Sequence, residues 1–216
     1  MRAAFFDMIG GASGNMLFGA FVDAGADFDE IVKILTTIPV DGWSIVRERT
    51  LRRGVAATYI DVVVPGEDDH HAHAAAHRHP PGRRTFSEII AIFEGSQLSK
   101  KQVALATTIA ERLARDDADL RFHPIGQIDA ILDIAATCIA LDLFGVERCF
   151  CSEFPIGQNL PEGTQMVTAT AEAILSTLVE RPGFRPALRV ESSGYGAGRS
   201  DFPMPNVTRL EVGQLV

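Results

Sequence analysis

The chain is poor in the residues that staple a fold, cross a membrane or grip a polyanion. Its 216 residues include three cysteines, an odd number with no framework spacing, so a disulfide-built scaffold is excluded and a reducing compartment is expected. No stretch approaches the roughly 18 apolar residues of a membrane span. Asp7 interrupts the opening "MRAAFFDMIGG" before any apolar run long enough for a signal peptide, so no membrane partner and a cytoplasmic location are expected. Lysine and arginine number 20 against 28 acids, and a net charge of −8 excludes a broad nucleic-acid surface, which needs a positive footprint. Neither a G-x-x-x-x-G-K-[ST] loop nor a G-x-G-x-x-G turn occurs, and there is no internal repeat.

What is present is the composition of a globular protein, 46% hydrophobic and 22% charged. "AAFFD" reads as a short buried strand, followed by the glycine-rich "MIGGASGN" and a helix ending near Gly25. A second helix is expected over 29–36, its start favoured by the carboxylates of "DFDE". "GWSIVRERTLRRGVAATYIDVVV" alternates as two strands turning at Arg53-Gly54. Helices follow over 86–94 and 99–118, with Ser99 as N-cap, then the all-round apolar helix of "GQIDAILDIAATCIALDLFG". "ERCFCSEFP" reads as a strand, "TATAEAILSTLVE" as a helix, and "ALRVESSGYGAG" and "NVTRLEVG" as strands. The expected class is α+β, helices packed on one side of a mainly antiparallel sheet, in two lobes: 1–65 and 85–216, joined by a flexible His-rich linker at 66–84.

That linker carries five of the six histidines: His70, His71, His73, His77 and His79. Imidazole suits divalent nickel, zinc and copper and is mostly neutral at pH 7. The consecutive Pro80 and Pro81 and the absence of large apolar residues favour a mobile segment, so metal collection and an inert linker both remain open readings. In "DMIGGASGNM" the glycines Gly10, Gly11 and Gly14 permit close backbone approach, and Ser13 with the helix start can present donors to a phosphate or carboxylate; a plain strand-to-helix turn is the alternative. In "RFHPIGQIDAILDI", Asp129 and Asp133 stand four apart on one helix face with His123 just ahead. Buried carboxylates need a metal, an arginine or backbone donors. "SSGYGAGRSDFPMPN" is too glycine-rich for a regular strand and reads as a binding loop or a tight crossing, with Tyr195, Arg199 and Asp201 as decorations; an Arg199–Asp201 pair is the simplest arrangement. Cys149 and Cys151 would share a strand face, and packing is the expected role.

Four segments taken together resemble one family: "FFDMIGGASGNMLFGAFVDAG", the histidine run, "FHPIGQIDAILDIAATCIALDLFGV" and "GYGAGRSDFPMPNVTRLEVG". Their order and spacing are similar to those of the LarC family of nickel-insertion proteins. Asp7, Gly11, Ser13, Gly14 and Met16 match its opening motif, with Asn15 in the place of its second acid. His123, Gly126, Asp129 and Asp133 match a later motif in which Arg121 and Pro124 stand where a histidine and a glutamate belong, and the segment 158–167 is shortened.

The resemblance implies a nickel chelatase, or cyclometallase, of the lyase class that uses CTP with a divalent metal to insert nickel into a pyridinium bisthiocarboxylic acid mononucleotide, maturing the nickel-pincer nucleotide of lactate racemase. It implies Asp7, His123, Asp129 and Asp133 as the catalytic set, and Gly11, Ser13, Gly14, Asn15, Tyr195, Arg199 and Asp201 as cofactor-binding. The five loop histidines would collect the metal. The chain ends after the "PNV" strand, where family members continue into a CTP-associated domain, so a separately encoded CTP-binding subunit is the expected partner. The departures at Asn15, Arg121 and Pro124 suit an alternative, a non-catalytic metal-buffering or scaffold relative; a small-ligand module using the glycine turns is a third reading. The sequence leaves a homo-oligomer open.

Overall fold

The computed structural model describes residues 1–64, 84–115, 127–155 and 166–216. A run of four buried residues makes β1 (Arg2–Asp7), and the glycine-rich turn leads into α1 (Gly14–Asp23), buried along most of its length. Asp27 caps α2 (Phe28–Leu35) by accepting the Glu30 N–H at 3.1 Å, and Asp29 and Glu30 lie in its first turn, where the helix dipole favours them. β2 (Ser44–Arg52) and β3 (Val55–Val63) form the expected hairpin. Arg53 and Gly54 both take positive φ, 50° and 88°, as a two-residue turn matching strand twist requires. α3 (Phe86–Glu94) begins with a capping box made by Thr85 and Glu88. α4 (Lys100–Arg115) begins with a similar exchange: Ser99 Oγ accepts the Gln102 N–H, and Gln102 Oε1 accepts the Ser99 N–H. The apolar α5 (Ile128–Leu143), β4 (Arg148–Cys151), α6 (Ala169–Leu178), β5 (Leu188–Ala197) and β6 (Val207–Leu215) complete the chain.

The strands form one sheet in the order β2-β3-β5-β6-β1-β4. Antiparallel pairings (β2/β3, β5/β6, β1/β6) outnumber parallel ones (β1/β4, β3/β5), as expected for an α+β fold. Strands from both sides of the histidine run join in it, through the β3/β5 pairing. The helices cover one face around a core that includes Phe6, Phe18, Phe21, Ile131 and Leu210. Phe6 meets Phe21 edge-on with ring centres 5.7 Å apart. Cys138 and Cys151 are buried in this core and Cys149 packs against it, the packing role expected of the cysteine pair. Burial pushes the thiols up, Cys149 to about 12 and Cys151 to about 11, so neither is a reactive thiolate at neutral pH. Among the described residues no helix is long and apolar enough to cross a membrane.

The glycines of "SSGYGAG" correct the reading of that segment. It is regular strand as far as Ala197, and the glycines serve the approach of a helix. A Cβ at Gly196 would overlap the Met16 carbonyl of α1, and one at Gly194 would overlap Ala24 and Ala20. From the helix side, a Cβ at Gly19 would lie 2.6 Å from the Thr58 carbonyl of β3. α1 therefore lies almost flush on β3 and β5. Asp23, at the helix end, ties the three elements: it accepts the Tyr195 N–H and the Thr58 hydroxyl, each at 2.8 Å, and pairs with Arg49. Replacing Gly196 with alanine should push α1 off the sheet and cost roughly 1–3 kcal/mol, the usual penalty of overpacking, read as a lowered midpoint in thermal or urea unfolding.

Candidate functional site

Parallel pairing of β1 with β4 and of β3 with β5, with β6 antiparallel to both β1 and β5, makes β1, β3, β4 and β5 run one way. Their carboxyl ends share one edge of the sheet, the position where open α/β sheets hold ligands. α1 starts at that edge, straight after β1, and so does α6, because the Thr168 N–H donates to the Ala12 carbonyl at 2.9 Å. The second turn of α5 reaches the same place: Asp133 packs against Gly14, where an added Cβ would stand 2.6 Å from the Asp133 Cβ.

Asp133 is the centre of this edge. It is only 8% exposed, and it accepts the Asn15 N–H at the start of α1. Among the described residues, its other oxygen, Oδ1, has no hydrogen-bond partner. The positive end of α1, which the sequence offered to a phosphate or carboxylate, thus holds a carboxyl group of the protein. Burial raises the Asp133 pKa well above the usual carboxylate range; the charges of Asp129 and Asp61 raise it further, and the Asn15 N–H only partly opposes them. Asp129, one turn earlier, is exposed and accepts the Ala130 N–H at 2.8 Å.

The other residues of the opening turn are engaged locally. Gly11 has φ 119°, and a Cβ there would overlap the Met166 carbonyl. Ser13 precedes α1 without capping it; its hydroxyl donates to Asn15 Oδ1 at 2.5 Å, and Asn15 Nδ2 donates to the Ile60 carbonyl at 2.9 Å. Asp7 closes β1, half-buried, opposite Arg209.

Arg199 does not pair with Asp201. Its Nε donates to the Tyr59 hydroxyl at 3.3 Å and its Nη2 to Asp61 Oδ2 at 2.5 Å, whereas Asp201 lies 3.4 Å from Arg53. The Tyr195 side chain packs with Ala57, Ala197 and Val207 on the sheet face away from the helices. His70, His71, His73, His77, His79 and His123 lie outside the described residues. Among the described residues, no group of three His, Cys, Asp or Glu side chains is arranged to hold a metal ion. Sequence reading passed over Tyr59 and Asp61, although a signal was there: in "TYIDVVV" the two polar side chains stand two apart, on one face of a strand otherwise apolar near its end.

These features define a class: an α+β protein whose parallel strands end at one edge of the sheet, beside a buried acid at a helix start and an arginine held by a tyrosine and an acid. The family described as "Nickel insertion protein" matches residues 4–163 and 161–214, and the chain belongs to it. The chain is 32% identical to the pyridinium-3,5-bisthiocarboxylic acid mononucleotide nickel insertion protein of Thermotoga sp. strain RQ2, over 100% of this chain and 62% of that protein. It is 30% identical to the protein of the same name from Desulfitobacterium hafniense strain DCB-2, over 100% of this chain and 59% of that protein. The chain therefore spans about 60% of the length of these curated relatives. No solved structure matches it.

The buried acid has a measurable signature. Because its folded pKa lies above the unfolded one, the native state binds the extra proton, and stability falls as pH rises from about 4 toward the folded value. Asp133→Asn removes that dependence. Urea unfolding across pH 4 to 8 should show the variant gaining on the wild type as pH rises; a constant difference would mean that Asp133 titrates normally.

Proposed function

We propose that this chain handles nickel for insertion into a pyridinium bisthiocarboxylic acid mononucleotide, the compound for which its relatives are named, in the maturation of the nickel-pincer nucleotide of lactate racemase. Nickel here is cargo. The histidines His70, His71, His73, His77 and His79 collect it as neutral imidazoles. Asp7, His123, Asp129 and Asp133 line the place that receives the metal or the nucleotide, and Gly11, Ser13, Gly14, Asn15, Tyr195, Arg199 and Asp201 form or support the nucleotide seat. The observation that carries this reading, beyond family membership, is the buried Asp133 at the sheet edge, whose Oδ1 has no partner among the described residues: a buried oxygen is costly unless something binds it.

The residues also limit what is assigned. A triphosphate does not fit the start of α1, because the Asp133 carboxyl fills it and takes the Asn15 N–H that a phosphate would need. No step is therefore routed through CTP on these residues; CTP with its divalent metal would enter through a partner domain. What the chain itself supplies is a buried carboxyl able to carry or take up a proton at Oδ1, and donors at the edge able to orient an anionic ligand.

Asn15 favours a second reading, a metal-buffering or scaffold protein without insertion activity. Its amide is spent on Ile60 and Ser13, and supplies no carboxylate to the edge.

Nickel transfer from the loaded protein to the mononucleotide, with the CTP-binding partner supplied, separates the readings. The Asp129→Asn, Asp133→Asn double variant should stay folded by circular dichroism yet lose transfer; wild-type transfer rates in the folded variant would remove the edge from the mechanism. Equilibrium dialysis with nickel near pH 7.5, comparing the intact chain with one lacking 68–79, should show most bound nickel leaving with the loop. Unchanged binding would remove the histidines from the collecting role.

A further inference from the structure

Arg199 is held on one edge and open on the other. A guanidinium carries five N–H donors in a rigid fork. Two of them are used, Nε by the Tyr59 hydroxyl at 3.3 Å and Nη2 by Asp61 at 2.5 Å. Among the described residues, Nη1 has no acceptor, and the side chain is 52% exposed. The holding pair is itself well anchored. Tyr59 and Asp61 lie two apart on β3, the Arg52 guanidinium lies over the Tyr59 ring at 5.9 Å, and Arg52 Nε donates to the Gly198 carbonyl beside Arg199. From the other side, the Gly198 N–H donates to the Asn206 carbonyl at 2.9 Å, and Asn206 Nδ2 donates to the Ser200 carbonyl at 2.7 Å. The backbone on both sides of Arg199 is fixed, and so is one edge of its head group.

We infer that Tyr59 and Asp61 are positioning residues: they pin the Nε and Nη2 side of Arg199 so that its Nη1 and Nη2 end faces outward as a two-pronged receptor for an oxyanion, the phosphate or a carboxylate of the ligand. A free arginine samples many rotamers, and ordering it on binding costs affinity; an arginine already held loses little. Asp61 has a second effect. Its charge opposes the incoming anion, so the site recognises its ligand by the geometry of two parallel bonds more than by net charge. Asp61, near the carboxyl end of β3, is also one of the charges that raise the Asp133 pKa. The inference rests on the proposed nucleotide reading for the identity of the ligand, and on geometry alone for the oxyanion seat.

The test is calorimetric titration of the full chain with three probes: nicotinic acid mononucleotide, pyridine-3,5-dicarboxylate and inorganic phosphate. Arg199→Lys keeps the charge but loses the fork, and should weaken binding of the recognised probe about tenfold, the loss expected for one hydrogen bond to a charged group. Tyr59→Phe should weaken it in the same direction by a smaller factor, with the unfolding midpoint unchanged. Asp61→Asn keeps an oxygen for Nη2 and removes the opposing charge, so it should tighten binding and steepen its salt dependence, whereas Asp61→Ala, without the oxygen, should bind more weakly than Asp61→Asn. Equal affinities for Asp61→Ala and Asp61→Asn, with Tyr59→Phe matching the wild type, would overturn the positioning role. An unaffected Arg199→Lys, or no binding of any probe by the wild type, would overturn the seat. Mononucleotide binding untouched by Arg199→Lys leaves the proposed function standing without this seat. Phosphate or dicarboxylate bound through Arg199 without any mononucleotide binding leaves the seat standing and removes the nucleotide reading; which of the two simple probes binds identifies the group recognised.

Discussion

Everything at the ligand edge depends on how closely α1 lies against the sheet. Three glycines set that distance, Gly19 on the helix and Gly194 and Gly196 on β5, because a methyl group at any of them would meet backbone. Backbone cannot move aside as a side-chain tip can, so the helix axis is fixed in height above β3 and β5. Asp23 fixes it along its length, through the Tyr195 N–H and the Thr58 hydroxyl. With both coordinates set, the start of α1 falls beside the first turns of α5, and Gly14 leaves room for one carboxyl group. The position of Asp133 is thus a consequence of helix packing before it is a matter of chemistry.

Electrostatics at that position are a contest with a clear result. The start of a helix and the Asn15 N–H favour an ionised carboxylate. Burial opposes ionisation, and two neighbouring carboxylates, Asp129 and Asp61, oppose it further. Opposition prevails, and the Asp133 pKa stands well above the usual carboxylate range, while Arg199 is committed to Asp61. The same ion pair steadies the arginine, and Asp61 remains one of the charges that raise the Asp133 pKa.

Most of the fold was legible in the residues, because its elements carry local signals. The alternation around Arg53-Gly54, the carboxylates of "DFDE", the cap Ser99 and the apolar length of α5 each specify an element without reference to the rest of the chain. Asp133 was legible too, since a carboxylate on an apolar helix demands a partner. The role of Gly194 and Gly196 was not, because glycine in a strand has the same letter whether a ligand or a helix comes close. Nor was the partner of Arg199: nearness along the chain favoured Asp201, but β5 and β3 pair in parallel and bring Asp61 into reach from 138 positions away. Contacts made by sheet pairing carry no local pattern.

Asn15 shows how a departure from a family motif can be read physically. An aspartate at this position would keep an acceptor for the Ser13 hydroxyl but could not donate to the Ile60 carbonyl, as the amide does at 2.9 Å. It would also add another negative charge to a neighbourhood that already holds Asp61, Asp129 and Asp133. With the amide, α1 is tied to β3 at its first turn as Asp23 ties it at its last, and Asp133 is left as the one buried acid at the helix start. The exchange takes a carboxylate from the edge and adds a structural bond to it. The side chain at position 15 has become part of the scaffold beside Asp133 rather than a carboxylate of the edge.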